Sequence, residues 1–300
     1  MNHASSTPST PPPPPTAVAR RLAALSILVG LTVLALKLLA AHLTGSVALW
    51  SDALESIVNV AAAGVALIAI RIAARPPDAG HPFGHGKAEY LSAVAEGVLI
   101  VVAALAILNE AWQGLRDPKP LVMDAGAIAA SLAASVLNAG WAGLLIRSGR
   151  RLRSAALDAD GRHLLSDVVT SAGVLAGVGL AILTGLVWLD AALAALVGAY
   201  VIWSGWRLIR RSVDGLMDAA PVPEDLARIE SSITATLPPG ARYHALRARQ
   251  AGHQTFIDLH LTVDGAMPVV EAHGLCDRIE GAVEQALPGA RVSIHVEPST

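Results

Sequence analysis

Three polar side chains interrupt a long apolar run near the start of the chain. Asp52, Glu55 and Asn59 lie within residues 45–70, a stretch long enough for a helix to cross a bilayer. Their spacing of three and four residues places them on one face of a helix. A charged residue inside a bilayer costs about 2.5 to 3.5 kcal/mol on insertion scales, so it usually faces a cavity or a partner. The stripe is therefore either a polar helix-packing contact or the lining of a site.

A second polar stripe favours the lining of a site over a helix-packing contact. His163 and Asp167 are four residues apart in another membrane-length segment. With opposite helix directions and a rise of about 1.5 Å per residue, Asp167 meets the depth of Glu55 and His163 that of Asn59. Carboxylate, amide and imidazole donors without thiolate suit Zn²⁺, Fe²⁺, Mn²⁺, Co²⁺ or Cd²⁺ better than Cu⁺. The pattern predicts a four-residue intramembrane metal site, with a capping or interfacial role for His163 as the alternative.

A second cluster lies in residues 78–89, where glycine and proline prevent an ordinary helix. Asp78, His81 and His85 can close around a cation in such a shaped loop, although a surface loop with two histidines is the simpler interpretation. The His-x-x-x-His spacing resembles that of a metalloprotease, which requires a helix and a Glu directly after the first His. Pro82 occupies that position, so this class is excluded.

A third cluster is spread over the last sixty residues. Each histidine alone is a weak signal, because a polar sheet face tolerates histidine. Together, on neighbouring strands and one helix, they are predicted to bind one or two metal ions. The residues of this cluster are His244, His260, His273, His295 and Glu297. His253 lies in a turn and is predicted to be exposed to solvent.

The composition separates a membrane part from a soluble part. Hydrophobic residues make up 53% of the chain and charged residues 15%, which is too apolar for an ordinary soluble domain. A net charge of −2 gives no argument for a nucleic-acid partner. The single cysteine, Cys276, excludes an internal disulfide framework and a thiolate-rich metal cluster.

Three domains are predicted. Residues 1–16 form a Pro-rich arm that is disordered or polyproline-like and is not a signal peptide. Residues 17–212 form a six-helix transmembrane domain, and residues 213–300 a small ferredoxin-like α+β domain of α-β-β-α-β order. The six spans are predicted at residues 18–43, 46–72, 88–115, 123–146, 162–184 and 187–209. Because the last domain is small for a self-sufficient core, dimerisation is expected to supplement it.

The distribution of Lys and Arg predicts the orientation. With the N-terminus inside, thirteen basic residues flank the inner side and two lie in the outer loops. The inner residues are Arg20, Arg21, Arg71, Arg75, Lys87, Arg147, Arg150, Arg151, Arg153, Arg162, Arg207, Arg210 and Arg211, and the outer ones are Arg116 and Lys119. Both termini are therefore predicted to be cytoplasmic.

The motifs resemble those of the cation diffusion facilitator family, particularly its bacterial zinc and iron exporters. The resemblance extends from about Arg20 to Pro298. It is most specific in HPFGHGKAE at residues 81–89, HLLSD at 163–167, and LRARQAG at 246–252 followed by FIDLH at 256–260. It implies a multi-pass homodimer in a bacterial inner membrane, in which each subunit exchanges a divalent cation for protons by alternating access.

The resemblance also assigns roles by position. It implies a transport site formed by Glu55, Asn59, His163 and Asp167, a loop site formed by Asp78, His81 and His85, and cytoplasmic sites at the dimer interface formed by His244, His260, His273, His295 and Glu297. Lys87 and Asp218 resemble a charge pair that links the two domains. Related exporters carry two aspartates, or a His and an Asp, where this chain has Glu55 and Asn59. The asparagine removes an anion and a proton acceptor, for which Asp52 is a candidate replacement.

The expected function is efflux of a divalent cation, with Zn²⁺ as the first candidate for both substrate and regulator. No catalytic cofactor and no enzymatic activity are expected. The alternative of a different class is a membrane-anchored metal sensor or metallochaperone with little transport. A membrane hydrolase is a weaker alternative, since the sequence has no evident nucleophile–base pair.

Overall fold

The computed structural model describes residues 15–44, 47–116, 125–186 and 188–299. The Pro-rich arm up to residue 14 and Lys119 lie outside these ranges. The side chains of Asp52 and Glu55 also lie outside the described part, although the backbone of both residues belongs to a helix.

Six helices of 27 to 30 residues come first in the described part of the chain. They are α1 (Pro15–Thr44), α2 (Val47–Ala73), α3 (Ala88–Arg116), α4 (Ala125–Leu152), α5 (Ala155–Thr184) and α6 (Trp188–Leu216). Among the described residues, three segments are long and apolar enough to cross a membrane: Ala17–Leu39, Ala88–Arg116 and Ala191–Leu216. The transmembrane helical domain is thus confirmed, while the crossing of the bilayer by all six helices stays a prediction.

One end of each of three helices differs from the sequence-based boundary. α4 and α6 continue for six and seven residues past the predicted ends at 146 and 209, and α5 begins seven residues before 162. The apolar run marks where a helix leaves the hydrocarbon, but charged residues with good helix propensity extend the helix into water. Ser154 sets the start of α5, because its hydroxyl accepts a hydrogen bond from the backbone N–H of Leu157.

α5 lies at the centre of the helical domain, in contact with α4, α6, α3 and α2. Its approach to α4 depends on Gly161, where a Cβ atom would lie 2.9 Å from the backbone nitrogen of Ile146. A larger residue there would push the two helices apart. Since Asp160 and His163 flank this glycine, close packing fixes the part of α5 that carries polar side chains.

The C-terminal domain has the predicted α-β-β-α-β order. It comprises α7 (Pro223–Thr236), β1 (Arg242–Ala251), β2 (Gln254–Val263), α8 (Val269–Ala286) and β3 (Ala290–Pro298). β2 is the central strand; it pairs antiparallel with β1 and parallel with β3, which follows α8. The predicted α+β class is confirmed.

The two faces of this sheet have different environments. Successive strand residues point to opposite faces, and the odd-numbered residues Ile257, Leu259 and Leu261 are buried. They form one core with apolar residues of α7 and α8. The even-numbered residues of β2 therefore point away from the helices, and His260 is one of them.

Candidate metal sites

The intramembrane cluster is centred on Asn59 of α2. Its Oδ1 lies 2.8 Å from Nε2 of His163, and its Nδ2 donates a hydrogen bond to the Asp167 carboxylate. Asn59 and His163 are 6% and 4% exposed. The structure thus brings three of the four predicted residues together between α2 and α5, while the side chain of Glu55 lies outside the described part.

The hydrogen bonds in this cluster have a defined direction. An amide oxygen only accepts, so the His163 Nε2–H donates to Asn59, which in turn donates to Asp167. Asn59 thus links His163 on one side to Asp167 on the other. The imidazole nitrogen, amide oxygen and carboxylate oxygen that make these bonds are also donor types that divalent ions accept in proteins.

Two buried carboxylates of the helical domain were not singled out from the sequence. Asp160 lies three residues before His163 on α5, and its Oδ2 accepts a 2.6 Å hydrogen bond from Ser26 of α1. Glu96 of α3 is also buried, with a Ser92 hydroxyl 3.5 Å from its Oε1. The spacing of three residues places Asp160 and His163 on one face of α5, and this spacing could have identified Asp160 from the sequence.

The loop between α2 and α3 gathers its predicted ligands. One ligand atom from each of Asp78, His81 and His85 lies within 4.8 Å of the others. Asp78 Oδ1 also accepts hydrogen bonds from the backbone N–H groups of His81 and Gly80. The His81 N–H is the largest factor that lowers the pKa of Asp78. The carboxylate is thus held in its ionised form, which is the form that binds cations.

The loop rests on the C-terminal domain. The Phe83 ring meets the Phe256 ring of β2 edge-on, with centroids 5.5 Å apart. The Arg249 guanidinium lies 5.0 Å from the first ring and 5.1 Å from the second. The backbones also approach closely, because a Cβ atom at Gly86 would lie 2.5 Å from the carbonyl oxygen of Ala251. The loop site is therefore attached to the sheet of the other domain.

An ion-pair network joins the same two domains. The Lys87 ammonium lies 2.9 Å from Asp218, and Arg249 lies 3.0 Å from the same carboxylate oxygen. The hydrogen bond from Lys87 is the largest factor that lowers the pKa of Asp218. The pKa of Asp218 is therefore lower in the folded state than in the unfolded state. The ion pairs stabilise the fold fully above the unfolded-state pKa, and this stabilisation is lost as pH falls through the folded-state pKa.

Three histidines form a ladder across the open face of the sheet. His244, His260 and His295 are register partners on β1, β2 and β3, with ring centroids 5.1 and 5.0 Å apart. Glu297 lies 2.9 Å from His260, 3.4 Å from His244 and 3.7 Å from His295. A register shift follows His244, where Ala245 has φ of 50°. The carboxylate and imidazoles form a donor set suited to Zn²⁺.

One sequence-based expectation for a histidine differs from the structure, and a second stays a prediction. His273 was predicted as a ligand of the same cytoplasmic cluster; it lies on α8, which covers the opposite face of the sheet, is 76% exposed and lies 3.9 Å from Asp277. His253 was expected to be exposed, but it is half-buried, its Nδ1 is enclosed, and burial lowers its pKa. The turn that contains His253 folds back against Gly289, where an added Cβ atom would lie 2.9 Å from the His253 carbonyl oxygen.

Comparison with protein families assigns both parts of the chain. Residues 23–217 match the cation efflux transmembrane domain, and residues 221–299 match the cation efflux protein cytoplasmic domain. Among solved structures, the putative zinc transporter CzrB is 41% identical, with a TM-score of 0.26, over 27% of this chain and 100% of that chain. The C-terminal domain of the CzcD transporter from Thermotoga maritima is 32% identical, with a TM-score of 0.23, over 26% and 94%.

Full-length relatives are also similar. An uncharacterized transporter of Synechocystis sp. is 47% identical over 94% of this chain and 91% of its own length. The cation-efflux pump FieF of Serratia proteamaculans is 34% identical over 88% of each chain. The FieF protein of Klebsiella pneumoniae is 34% identical over 89% of this chain and 88% of its own. The chain is therefore a member of the cation diffusion facilitator family, a transmembrane cation efflux transporter with a C-terminal cytoplasmic domain.

Proposed function

We propose that this protein exports a divalent cation in exchange for protons, with Zn²⁺ as the first candidate and Fe²⁺, Mn²⁺, Co²⁺ and Cd²⁺ as the others. The observation that carries this proposal is the cluster of the buried Asn59 and His163 with the half-buried Asp167 between two helices of the membrane domain. Its donors are imidazole nitrogen and oxygen without thiolate, a set that suits these ions. Glu55, one turn before Asn59 on α2, completes the proposed set.

Exchange for protons follows from shared ligands. Metal binding requires the neutral, unprotonated nitrogen of His163 and an ionised Asp167, so a cation and protons compete for the same atoms. Histidine titrates near neutral pH, which suits a site that must release protons on one side and accept them on the other. Alternating access would then expose this site first to the cytoplasm and later to the outside.

The other two clusters fit a regulatory role. The loop site is attached to the sheet through Phe83 and Arg249, and the histidine ladder occupies the open face of that sheet. In a homodimer, metal at the ladder would draw the two cytoplasmic domains together. Transport would thereby respond to the cytoplasmic cation concentration.

The bias of Lys and Arg supports a location with both termini in the cytoplasm. The similar proteins include bacterial cation-efflux pumps, and a bacterial inner membrane is the corresponding proposal here. The aromatic residues Tyr200 and Trp203 are exposed on α6, and Arg207 stacks on the Trp203 ring at 5.3 Å. Exposed aromatic and basic side chains of this kind suit a lipid-facing helix near the interface.

The test is cation flux in proteoliposomes under an imposed pH gradient, screened for the five ions. Asp167→Ala should abolish gradient-driven flux while the dimer stays folded, whereas Asp258→Ala, an exposed carboxylate, should transport like wild type. Retained flux in Asp167→Ala would overturn the site assignment. A folded wild-type protein that binds cations but transports none would favour a membrane-anchored sensor or metallochaperone.

A further inference from the structure

We propose that a cavity at the ends of α4, α5 and α6 binds the phosphate headgroup of an anionic phospholipid. The cavity has a volume of about 510 Å³ and lies between the helical domain and the C-terminal domain. The groups that would hold the phosphate are the guanidinium groups of Arg150 on α4 and Arg211 on α6. The inference concerns lipid binding, which is measured directly and does not depend on the proposed transport.

The two arginines converge on one carboxylate near the start of α5. Nε of Arg150 lies 3.8 Å from Oδ1 of Asp158, and Nη1 of Arg211 lies 3.8 Å from Oδ2. The approach of α4 to α5 depends on Gly149, where a Cβ atom would lie 2.6 Å from the backbone nitrogen of Asp158. Arg150, the next residue, is thereby brought beside the same carboxylate. Two helices that are distant in the sequence thus place an arginine each around one point.

Asp158 leaves the hydrogen-bonding groups of these two arginines available. Its carboxylate accepts hydrogen bonds from Arg162, one turn later on α5, at 2.8 and 3.5 Å. Arg150 and Arg211 approach it to 3.8 Å, which is beyond hydrogen-bond distance, and both side chains are 63% exposed. Because a guanidinium group has five N–H donors, both arginines can bind an external anion while Asp158 holds them near each other.

The charge around the cavity favours an anion. The charged residues that line it are Arg150, Arg153, Arg211, Asp158, Asp214 and Asp225. Two of the three carboxylates have a closer arginine of their own. Asp158 is bound by Arg162, which does not line the cavity. Asp225 of α7 is bound by Arg153 at 2.6 Å. Two exposed guanidinium groups therefore remain in the lining against one carboxylate.

The depth of the cavity favours a lipid as the source of the anion. Arg150, Asp158 and Arg211 lie two to four residues beyond the predicted spans, which is at most about 6 Å along a helix axis. The headgroup layer extends about 5 to 8 Å beyond the hydrocarbon on each side of a bilayer. Leu208, one turn before Arg211, lines the same cavity and adds an apolar contact on the side of the hydrocarbon. Basic pockets between transmembrane helices at this depth bind anionic headgroups.

The test is lipid retention by the full-length protein, measured by native mass spectrometry with dioleoyl phosphatidylglycerol and dioleoyl phosphatidylcholine as probes. The wild-type protein should retain the anionic lipid better by about tenfold or more. Arg150→Gln combined with Arg211→Gln should abolish this preference. Arg151→Gln combined with Arg210→Gln is the matched control and should retain it. The control removes the same charge from neighbouring exposed positions of the same two helices, neither of which lines the cavity.

Two results would overturn the inference. Equal loss of the preference in both double variants would mean that basic side chains attract anionic lipid without a defined site. Inorganic phosphate is the second probe, and it should displace little phosphatidylglycerol, because it has no acyl chains to place in the hydrocarbon. Complete displacement by phosphate would assign the cavity to a soluble anion instead of a lipid.

A measurement on the wild-type protein covers the case in which the arginine variant does not fold. The full chain is placed in phosphatidylcholine vesicles that contain a phosphatidylglycerol analogue with a photoreactive headgroup. Labelling should be strongest in residues 149–158 and 208–215, the two stretches that form most of the cavity wall. Equally strong labelling next to the basic residues of α1 and α2 would contradict a defined site.

Discussion

At the scale of single residues, Asn59 determines how the intramembrane cluster behaves with and without a cation. Its amide both accepts from His163 and donates to Asp167, which a carboxylate at the same position would be unable to do. The amide therefore stabilises the metal-free cluster, but it offers a cation one negative charge less than a carboxylate would.

Asn59→Asp should reverse this balance. Without metal, two carboxylates would face each other and the melting temperature should fall. With Zn²⁺, the extra charge should raise the affinity by roughly tenfold, equivalent to about 1.4 kcal/mol. Thermal unfolding with and without Zn²⁺ measures both effects, and Asn59→Ala is the control for loss of the amide alone. An equal Zn²⁺-induced shift in Asn59→Asp and wild type would contradict this account.

Some of these residues were predictable from the sequence because helical periodicity converts spacing into a shared face. That reasoning predicted that Asn59 would lie level with His163. It did not single out Glu96, because its neighbours at helical spacing, Ser92 and Glu89, include no histidine or cysteine that would indicate a metal site. The burial of Glu96 depends on how α3 packs against its neighbours, and such packing is not encoded in the pattern of one helix alone.

At the scale of elements, the loop between α2 and α3 is held to the β1–β2 turn by backbone proximity. Gly86 is the contact point, and Gly252 in the turn has φ of 61° and faces the carbonyl oxygen of Gly86. A side chain at either position would enlarge the gap between the loop and the sheet.

Gly86→Ala should therefore detach the loop. We expect a cost of about 1–3 kcal/mol in the docked state, typical of overpacking a tight contact. Hydrogen exchange should accelerate in residues 78–90 and 250–254. Gly80→Ala is the matched control, since its Cβ would lie 3.5 Å from Asp78 Oδ1, an ordinary contact. Equal protection in the two variants would show that the loop is held by Phe83 and Lys87 instead.

The elements themselves were largely predictable, because apolar runs and alternation indicate helices and strands. The C-terminal ends of α4 and α6 and the start of α5 were not. Hydropathy reports where a segment leaves the bilayer, whereas Ser154 and the arginine-rich end of α4 determine where the backbone stops being helical. The pairing partners of the strands, and hence the alignment of three histidines, also depended on the register shift after His244.

At the scale of the whole molecule, the cytoplasmic domain links the loop site to the ladder. Arg249 contacts both Phe rings and pairs with Asp218, which also binds Lys87, the residue directly before α3. A movement of this sheet is therefore transmitted to the loop that leads into α3.

Removal of the His260 imidazole, the central one of the ladder, should weaken the response of the cytoplasmic domains to Zn²⁺. His260→Ala should weaken Zn²⁺ binding to the ladder by about tenfold or more, a loss of at least about 1.4 kcal/mol. It should also reduce the Zn²⁺-induced approach of the two cytoplasmic domains, measured as a distance between labels in the full-length dimer. His273→Ala should leave ladder affinity within about threefold, because His273 lies on the helix-covered side. A larger loss in His273→Ala would mean that the partner subunit brings this residue to the ladder.

The ladder occupies the face of the sheet opposite α7 and α8, and the core of the domain occupies the face that these helices cover. The core and the candidate ion site are therefore encoded by alternate residues of the same strands. Exchanging one imidazole for a carboxylate or a thiol would alter ion preference without opening a cavity in the core. Over evolutionary time, such a domain can acquire a new ion specificity through a few point substitutions while its architecture is inherited unchanged.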